Sequence, residues 1–328
     1  MSFIAFRINQ DSQGVQAGFH EMEIDQLTPG QVIVRVNYSG INYKDALAAT
    51  GKGRILRIPA VNGGIDLAGE VVSSDSDRFK SGDRVLACGY GLSETLDGGY
   101  AEYARLDPDH LVAIPDGLTD REAMSIGTAG FTAALALIMM EVNGQTVDHG
   151  PILVTGASGG VGSIAVNLFS MLGYNVTAVT GKAKAIDYLR ELGSSNFLDR
   201  ISLDMGTRPL EKAKWGGAID NVGGELLSWI TRTIRPRGNI ASIGLVGSAT
   251  LETTVMPFIL RGISMLGINC NVPLKLRDEI WQRLGSDLKP SRLDLIANRT
   301  IKFTELPTMF DQYLGGGVIG RTVVKIRD

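Results

Sequence analysis

The segment with the most evident chemistry is Gly156-Ala157-Ser158-Gly159-Gly160-Val161-Gly162. A short apolar stretch, residues 152–155, runs into it, and an apolar stretch of helical period, residues 161–172, leaves it. A glycine turn between strand and helix offers bare N–H groups and a helix N-terminus with partial positive charge, which together hold a phosphate. Glycine lets the backbone approach that group closely. The spacing is G-x-x-G-G-x-G rather than G-x-G-x-x-G, so the strand–turn–helix context carries the reading. It predicts a dinucleotide whose phosphates rest on Ser158, Gly159, Gly160 and Val161. The alternative is a turn that serves helix–strand packing alone.

The end of the next strand, residues 175–180, selects the dinucleotide. NAD sites commonly place Asp or Glu there, about 20 residues beyond the glycines, on the ribose hydroxyls. Here the run is Thr180-Gly181-Lys182-Ala183-Lys184, with no acid before Asp187. A hydroxyl and two lysines suit a 2′-phosphate. Thr180, Gly181 and Lys182 are therefore assigned to NADPH; the competing reading of the lysines is a solvated helix start. Arg200 follows a third short strand, residues 196–198, which lies beside the second in the usual doubly wound order. It is a second candidate for the phosphate, or else a surface charge.

These residues need an α/β frame. From residue 151 strands and helices alternate with short links: strands at 152–155, 175–180, 196–198, 218–220, 239–243 and 263–268, helices at 161–172 and 183–192. Alternation of this kind predicts a parallel, doubly wound sheet. Before it, residues 32–36, 69–72 and 83–87 read as short strands between polar turns, which fits a mostly antiparallel β region. Residues 121–140 are helical in period, with Thr119 or Asp120 as cap. The tail returns to mixed helix and strand and ends in a strand at 321–326. A length of 328 residues suits two domains of about 100–200 residues each.

Composition narrows the function classes. With 44% hydrophobic residues the chain can bury sizeable cores, and a net charge of −3 predicts neither a nucleic-acid partner nor an anionic membrane surface. Cys88 and Cys270 and the three histidines His20, His110 and His149 show no C-x-x-C and no clustered spacing, so no metal site is expected. Two distant cysteines suit a reduced, cytosolic protein, a disulfide being the alternative. The opening MSFIAFRINQ lacks a basic start followed by an apolar run, so no signal peptide is expected. No apolar stretch is expected to approach the roughly 20 residues of a membrane span.

Several segments together resemble the zinc-free medium-chain dehydrogenase/reductases, in the branch of acrylyl-CoA reductases and quinone oxidoreductases. They are Ile41-Asn42-Tyr43-Lys44-Asp45-Ala46-Leu47, Gly64-Ile65-Asp66-Leu67-Ala68-Gly69, Gly127-Thr128-Ala129-Gly130-Phe131-Thr132-Ala133, the glycine turn, and Met256-Pro257-Phe258-Ile259-Leu260-Arg261. The resemblance implies a GroES-like catalytic domain, residues 1–120 completed by 269–328, and a Rossmann NADPH-binding domain, residues 121–268. Zinc enzymes of this superfamily carry Cys where this chain has Asn42, and His-Glu where it has Ile65-Asp66. Neither Asn nor Ile replaces thiolate or imidazole as a zinc ligand. The four-cysteine structural zinc lobe is also missing. The resemblance to the zinc-free branch implies metal-free transfer of hydride from nicotinamide.

The resemblance then implies Tyr43 as the catalytic residue, a phenol that hydrogen-bonds or protonates the acceptor beside the nicotinamide. The alternative is a packing residue that shapes the cleft. It also implies cofactor contacts from Thr128, from Leu245 through its backbone, and from Asn269. Asn42 reads either as a substrate-orienting amide or as a turn residue, and Asp45 and Asp66 as structural acceptors of backbone amides. The expected reaction is reduction of an activated C=C bond, acrylyl-CoA to propanoyl-CoA, with quinone reduction as the rival and a non-catalytic, crystallin-like NADPH binder as the reading from another class. Lys44, Lys52, Arg54 and Arg57 are candidates for CoA phosphates, or an ordinary solvated loop. The last strand, 263–268, is an expected exposed edge and invites a homodimer.

Overall fold

A computed structural model describes residues 2–327, which divide into two compact units. One holds residues up to 128, residues 270–287 and those from 293 onward; the other holds 129–269 and 288–292. The division falls inside a helix, eight residues beyond the boundary expected at 120.

The first unit is mostly antiparallel. One sheet runs in the order Arg299–Lys302, Thr322–Lys325, Val32–Gly40, Asp66–Ser74, Arg84–Cys88, Val112–Ala113, with Tyr103–Leu106 also paired to Val32–Gly40. A second sheet of three strands is built on the hairpin Ser2–Asp11/Gly14–Glu23, with Ala60–Asn62 on its other side. Alternating β-branched residues such as Val32, Val34 and Val36 point into a core shared with Leu67, Val85, Leu106 and Phe310. The C-terminal strand Thr322–Lys325 lies directly against Val32–Gly40, so Arg321 enters this unit from the far end of the chain.

The second unit is a six-stranded parallel sheet in the order Asn196–Asp199, Val176–Thr180, Ile152–Thr155, Trp215–Asp220, Ile234–Ser242, Ser264–Gly267. That is the doubly wound order 3-2-1-4-5-6, with its switch point between the first and fourth strands. The expected strand at 152–155 has those bounds. The helix expected at 183–192 is instead a 3-10 turn, Ala183–Ala185, followed by a short helix, Ile186–Glu191. No side-chain oxygen caps either start.

The helix Asp120–Val142 starts at a reciprocal cap. Thr119 donates its N–H and hydroxyl to the Glu122 carboxylate and accepts the Glu122 N–H. At 23 residues it is long and apolar enough to cross a membrane, which corrects the expectation that no stretch approaches that length. Its most apolar window is 83% buried within the protein, as in a core helix. It is broken at Gly127, whose φ of 50° and ψ of −159° are not helical.

Candidate active site

In the parallel unit the chemistry gathers at the carboxyl ends of the strands, where ligands of open α/β sheets bind. Gly156 leaves the first strand with φ of 56°, in the left-handed region that suits glycine. The chain turns through Ala157 and Ser158, and Gly159 is the N-cap of the helix Gly160–Met171. A Cβ built on Gly162 would lie 2.4 Å from the Gly156 carbonyl oxygen and 2.7 Å from Ala157 Cα. Glycine at 162 thus lets the first helical turn settle onto the loop. The N–H groups of that first turn have no carbonyl a turn earlier within the helix, and none of its residues is acidic.

Ser158 Oγ lies 3.4 Å from Thr180 Oγ1, which links the turn to the end of the second strand. Thr180 Oγ1 also accepts the Lys182 N–H at 3.1 Å, while the Thr180 carbonyl accepts the Arg200 N–H at 3.1 Å. Thr180 pairs in register with Asp199. A Cβ built on Gly181 would lie 3.6 Å from Arg200 Nε, in ordinary contact with the guanidinium. Thr180, Gly181, Lys182 and Arg200 therefore occupy one corner of the sheet. Partial burial, and then Lys184, lower the Lys182 pKa. Asp199, the acid of this corner, is turned onto its own loop: it accepts the Ile201 N–H and the Ser202 hydroxyl, and these bonds lower its pKa.

Across the switch point, Thr155 donates its hydroxyl to Asp220 at 2.7 Å and accepts the Asn221 N–H at 2.9 Å. Asp220 also accepts the Gly223 N–H, and burial raises its pKa. Leu245 is 66% exposed in the loop after the fifth strand. Asn269 is exposed just beyond the sixth.

In the antiparallel unit Tyr43 is the first residue of the helix Tyr43–Thr50 and is half-buried. Asn42 is its N-cap. Both ends of the Asn42 amide are used: Nδ2 donates to Asp66 at 2.8 Å and to Asp45 at 3.2 Å, and Oδ1 accepts from Arg321 at 2.7 Å. Asn42 is thus a capping residue held in a polar network, not a free amide for substrate. Asp45 accepts the N–H groups of Asn42 and Ile65, and Asp66 accepts the N–H and hydroxyl of Thr128 at 3.0 and 2.6 Å. This is the structural role expected of the two carboxylates.

Arg321 was not legible as part of this network. Nothing in the local sequence Ile319-Gly320-Arg321 marks it, and 255 residues separate it from Asp66. Asn42 and Ile65, the two positions that the resemblance set against zinc ligands, offer an amide bound to carboxylates and an aliphatic side chain. Among the described residues no three His, Cys, Asp or Glu side chains cluster, and both cysteines are free thiols. Three of the four basic candidates face acids: Lys44 and Arg57 share Glu94, and Lys52 faces Asp311.

Burial, and next the charge of Asp66, raise the Asp45 pKa from 3.8 to about 6. The folded state therefore binds this proton more tightly than the unfolded chain. Stability contributed at Asp45 is present below the unfolded pKa and is lost as pH rises towards the folded one, a change on the order of 2–3 kcal/mol. The stability advantage of the parent over Asp45→Asn should shrink between about pH 4 and pH 6. Urea unfolding at pH 4, 5, 6 and 7 measures it; a constant difference would refute the assignment.

Residues 28–116 match the family model described as Alcohol dehydrogenase GroES-like domain, and residues 160–285 match Zinc-binding dehydrogenase. The chain is 40% identical over 321 residues to acrylyl-CoA reductase AcuI of Ruegeria pomeroyi, with 97% of each sequence covered. The chain belongs to the medium-chain dehydrogenase/reductase family. Among solved members of this family, YhdH of Escherichia coli K-12 with bound NADPH is 44% identical at a TM-score of 0.95, covering 98% of this chain and 100% of that one. YhfP of Bacillus subtilis with NAD bound is 42% identical at a TM-score of 0.96, covering 99% and 100%. The family likeness extends over the whole chain, including the tail that carries Arg321.

Proposed function

We propose that this medium-chain dehydrogenase/reductase is an NADPH-dependent, metal-free reductase of activated C=C bonds, with acrylyl-CoA as the acceptor. The observation that carries the reading is the glycine turn at 156–162 joined through Ser158 to the acid-poor corner of Thr180, Lys182 and Arg200. The turn fits a pyrophosphate: an added Cβ on Gly159 would meet only the Gly156 oxygen, at 3.3 Å, so the cradle is open on its outer side. In this reading Ser158, Gly159, Gly160 and Val161 hold the phosphates, and Thr180, Gly181, Lys182 and Arg200 hold the 2′-phosphate. The family resemblance assigns Tyr43, Thr128, Leu245 and Asn269 to the nicotinamide end. When bound, the cofactor would supply hydride for the β-carbon, and Tyr43 would orient the acyl oxygen or deliver the proton that the α-carbon gains. Arg54 faces no carboxylate among the described residues, which favours it over Lys44, Lys52 and Arg57 as a contact for CoA phosphate. The name and NADPH complex of the relatives support the same reading.

The deciding experiment is NADPH oxidation with acrylyl-CoA, a quinone and an enal side by side. Fastest turnover of acrylyl-CoA is expected; faster quinone turnover would replace the acceptor, and no turnover would leave a non-catalytic binder. Cofactor choice gives a second expected result. A double variant, Lys182→Ala with Arg200→Ala, should weaken NADPH at least about tenfold, since charge-assisted bonds to phosphate are each worth about 1.5–3 kcal/mol. NADH binding should stay unchanged. Equal binding of the two dinucleotides by the parent would refute the assignment.

A homodimer through the sheet edge is part of the proposal. The strand Ser264–Gly267 is paired on one side, and Val255, Ile259, Leu260 and Met265 are exposed in and around the helix that leads into it. Unpaired edges and apolar patches of this kind invite a second copy. Light scattering of the parent and of Ile259→Glu tests it, a monomeric parent being the contrary result. The free thiols of Cys88 and Cys270 suit a reducing, cytosolic compartment.

A further inference from the structure

We infer that Arg321 is a positioning residue for the reaction, acting through Asp66 and Asn42 on the two segments that present Tyr43 and Thr128. The inference rests on the reading above that those two residues border the nicotinamide.

A guanidinium has five N–H donors in a fixed plane. Each of the five has an acceptor here: Nε donates to the Ser125 carbonyl at 3.2 Å, Nη1 to Ile41 O at 3.2 Å and Asn42 Oδ1 at 2.7 Å, and Nη2 to Met124 O at 3.2 Å and Asp66 Oδ2 at 3.4 Å. Arg321 and Asp66 are both buried, at 2% and 0% exposure. The glycines around the pair are required by it. A Cβ on Gly127 would lie 2.4 Å from Nη2 and 2.6 Å from Asp66 Oδ2, and one on Gly40 would lie 2.6 Å from Nη2.

The pair also explains the broken helix. A break at Gly127 frees carbonyls before it and an N–H after it. Arg321 answers the carbonyls of Met124 and Ser125, and Asp66 answers the N–H of Thr128. A cation thus sits at a helix C-terminus and an anion at a helix N-terminus, the favourable sense of the helix dipole for both. The Thr128 hydroxyl donates its proton to Asp66, so its oxygen meets any ligand with lone pairs alone. Thr128 is thereby an acceptor, suited to an amide or hydroxyl donor on the cofactor. On its other side Arg321 holds the side chain of Asn42, the N-cap residue of the Tyr43 helix. One side chain from the tail sets both the hydrogen-bonding polarity at 128 and the start of the helix at 43.

The test is Arg321→Lys, beside Arg277→Lys as a buried arginine of the same unit outside this network. An ammonium cannot span Asn42, Asp66 and three carbonyls in one plane. Arg321→Lys should lower kcat about 10- to 100-fold, as expected for a small misplacement of reacting groups. NADPH affinity, set at the glycine turn, should change less than about threefold, well under the 1.4 kcal/mol that a factor of ten represents. Amide exchange should quicken at residues 42–50 and 124–130. Arg277→Lys should alter stability without that kinetic signature. Unchanged exchange at those segments, or a kcat loss no larger than that of Arg277→Lys, would overturn the inference. A parent chain that reduces none of the three acceptors would sink the functional reading instead, and the exchange result alone would then decide for or against the brace.

Discussion

Replacing Gly162 by alanine should weaken NADPH binding by about 10- to 100-fold while leaving the secondary structure intact. The added Cβ would sit 2.4 Å from the Gly156 oxygen and 2.7 Å from Ala157 Cα, both backbone atoms that cannot rotate away. Overpacking of this kind costs about 1–3 kcal/mol, and each 1.4 kcal/mol is tenfold in affinity. The loop must withdraw from the helix, and its N–H groups then no longer converge on one anion. Gly18→Ala is the control, since a Cβ there meets nothing within 4 Å. Fluorescence titration with NADPH measures the effect; unchanged affinity in Gly162→Ala would remove the turn from the cofactor site.

The second large effect is expected at Tyr43. Tyr43→Phe keeps the ring and its packing at the start of the helix but removes the one group able to bond or protonate an acceptor. General acid catalysis contributes about 10²- to 10⁴-fold, so kcat with the preferred acceptor should fall at least about 100-fold. NADPH affinity should hold, because the phosphates are assigned to the turn at 156–162 in the proposal. The comparison of kcat with affinity separates a catalytic phenol from a packing residue. A variant with full kcat would leave Tyr43 as a wall of the cleft, its alternative role from the outset. Tyr43 lies directly after Asn42, so the phenol inherits the precision of the capping network around Asp66.

The parallel unit was legible because its signals are local. Ile152–Thr155 is a short apolar run punctuated by glycine, and its bounds follow from that pattern. The order of the six strands follows from alternation with helices and the right-handed crossover. The corner of Thr180, Lys182 and Arg200 follows from that order, since parallel neighbours end at the same edge. Less was legible where a weak start competes with none. Residues 183–192 have helical period but no side-chain cap, and the chain takes a 3-10 turn before the helix forms. The hairpin Ser2–Asp11/Gly14–Glu23 and the helix Tyr43–Thr50 also escaped the reading. The hairpin is largely exposed along its second strand, and the helix is two turns long, too short for a clear period.

The family resemblance marked positions 42 and 65 as places without a zinc ligand, whereas residue types alone determined that a strand, a glycine turn and a helix would stand together and that the corner beside them would lack a carboxylate for ribose. Each of these needs only a few neighbouring residues and their chemistry. Tertiary structure decided how the buried charges are answered. Asp66 meets Arg321 across 255 residues, that pair fills the space a side chain at position 127 would take, and three of the four basic candidates, Lys44, Lys52 and Arg57, are turned to acids. Burying a charge is costly unless a partner arrives with it. That partner can come from anywhere in the chain, so only the assembled fold shows that the tail supplies it.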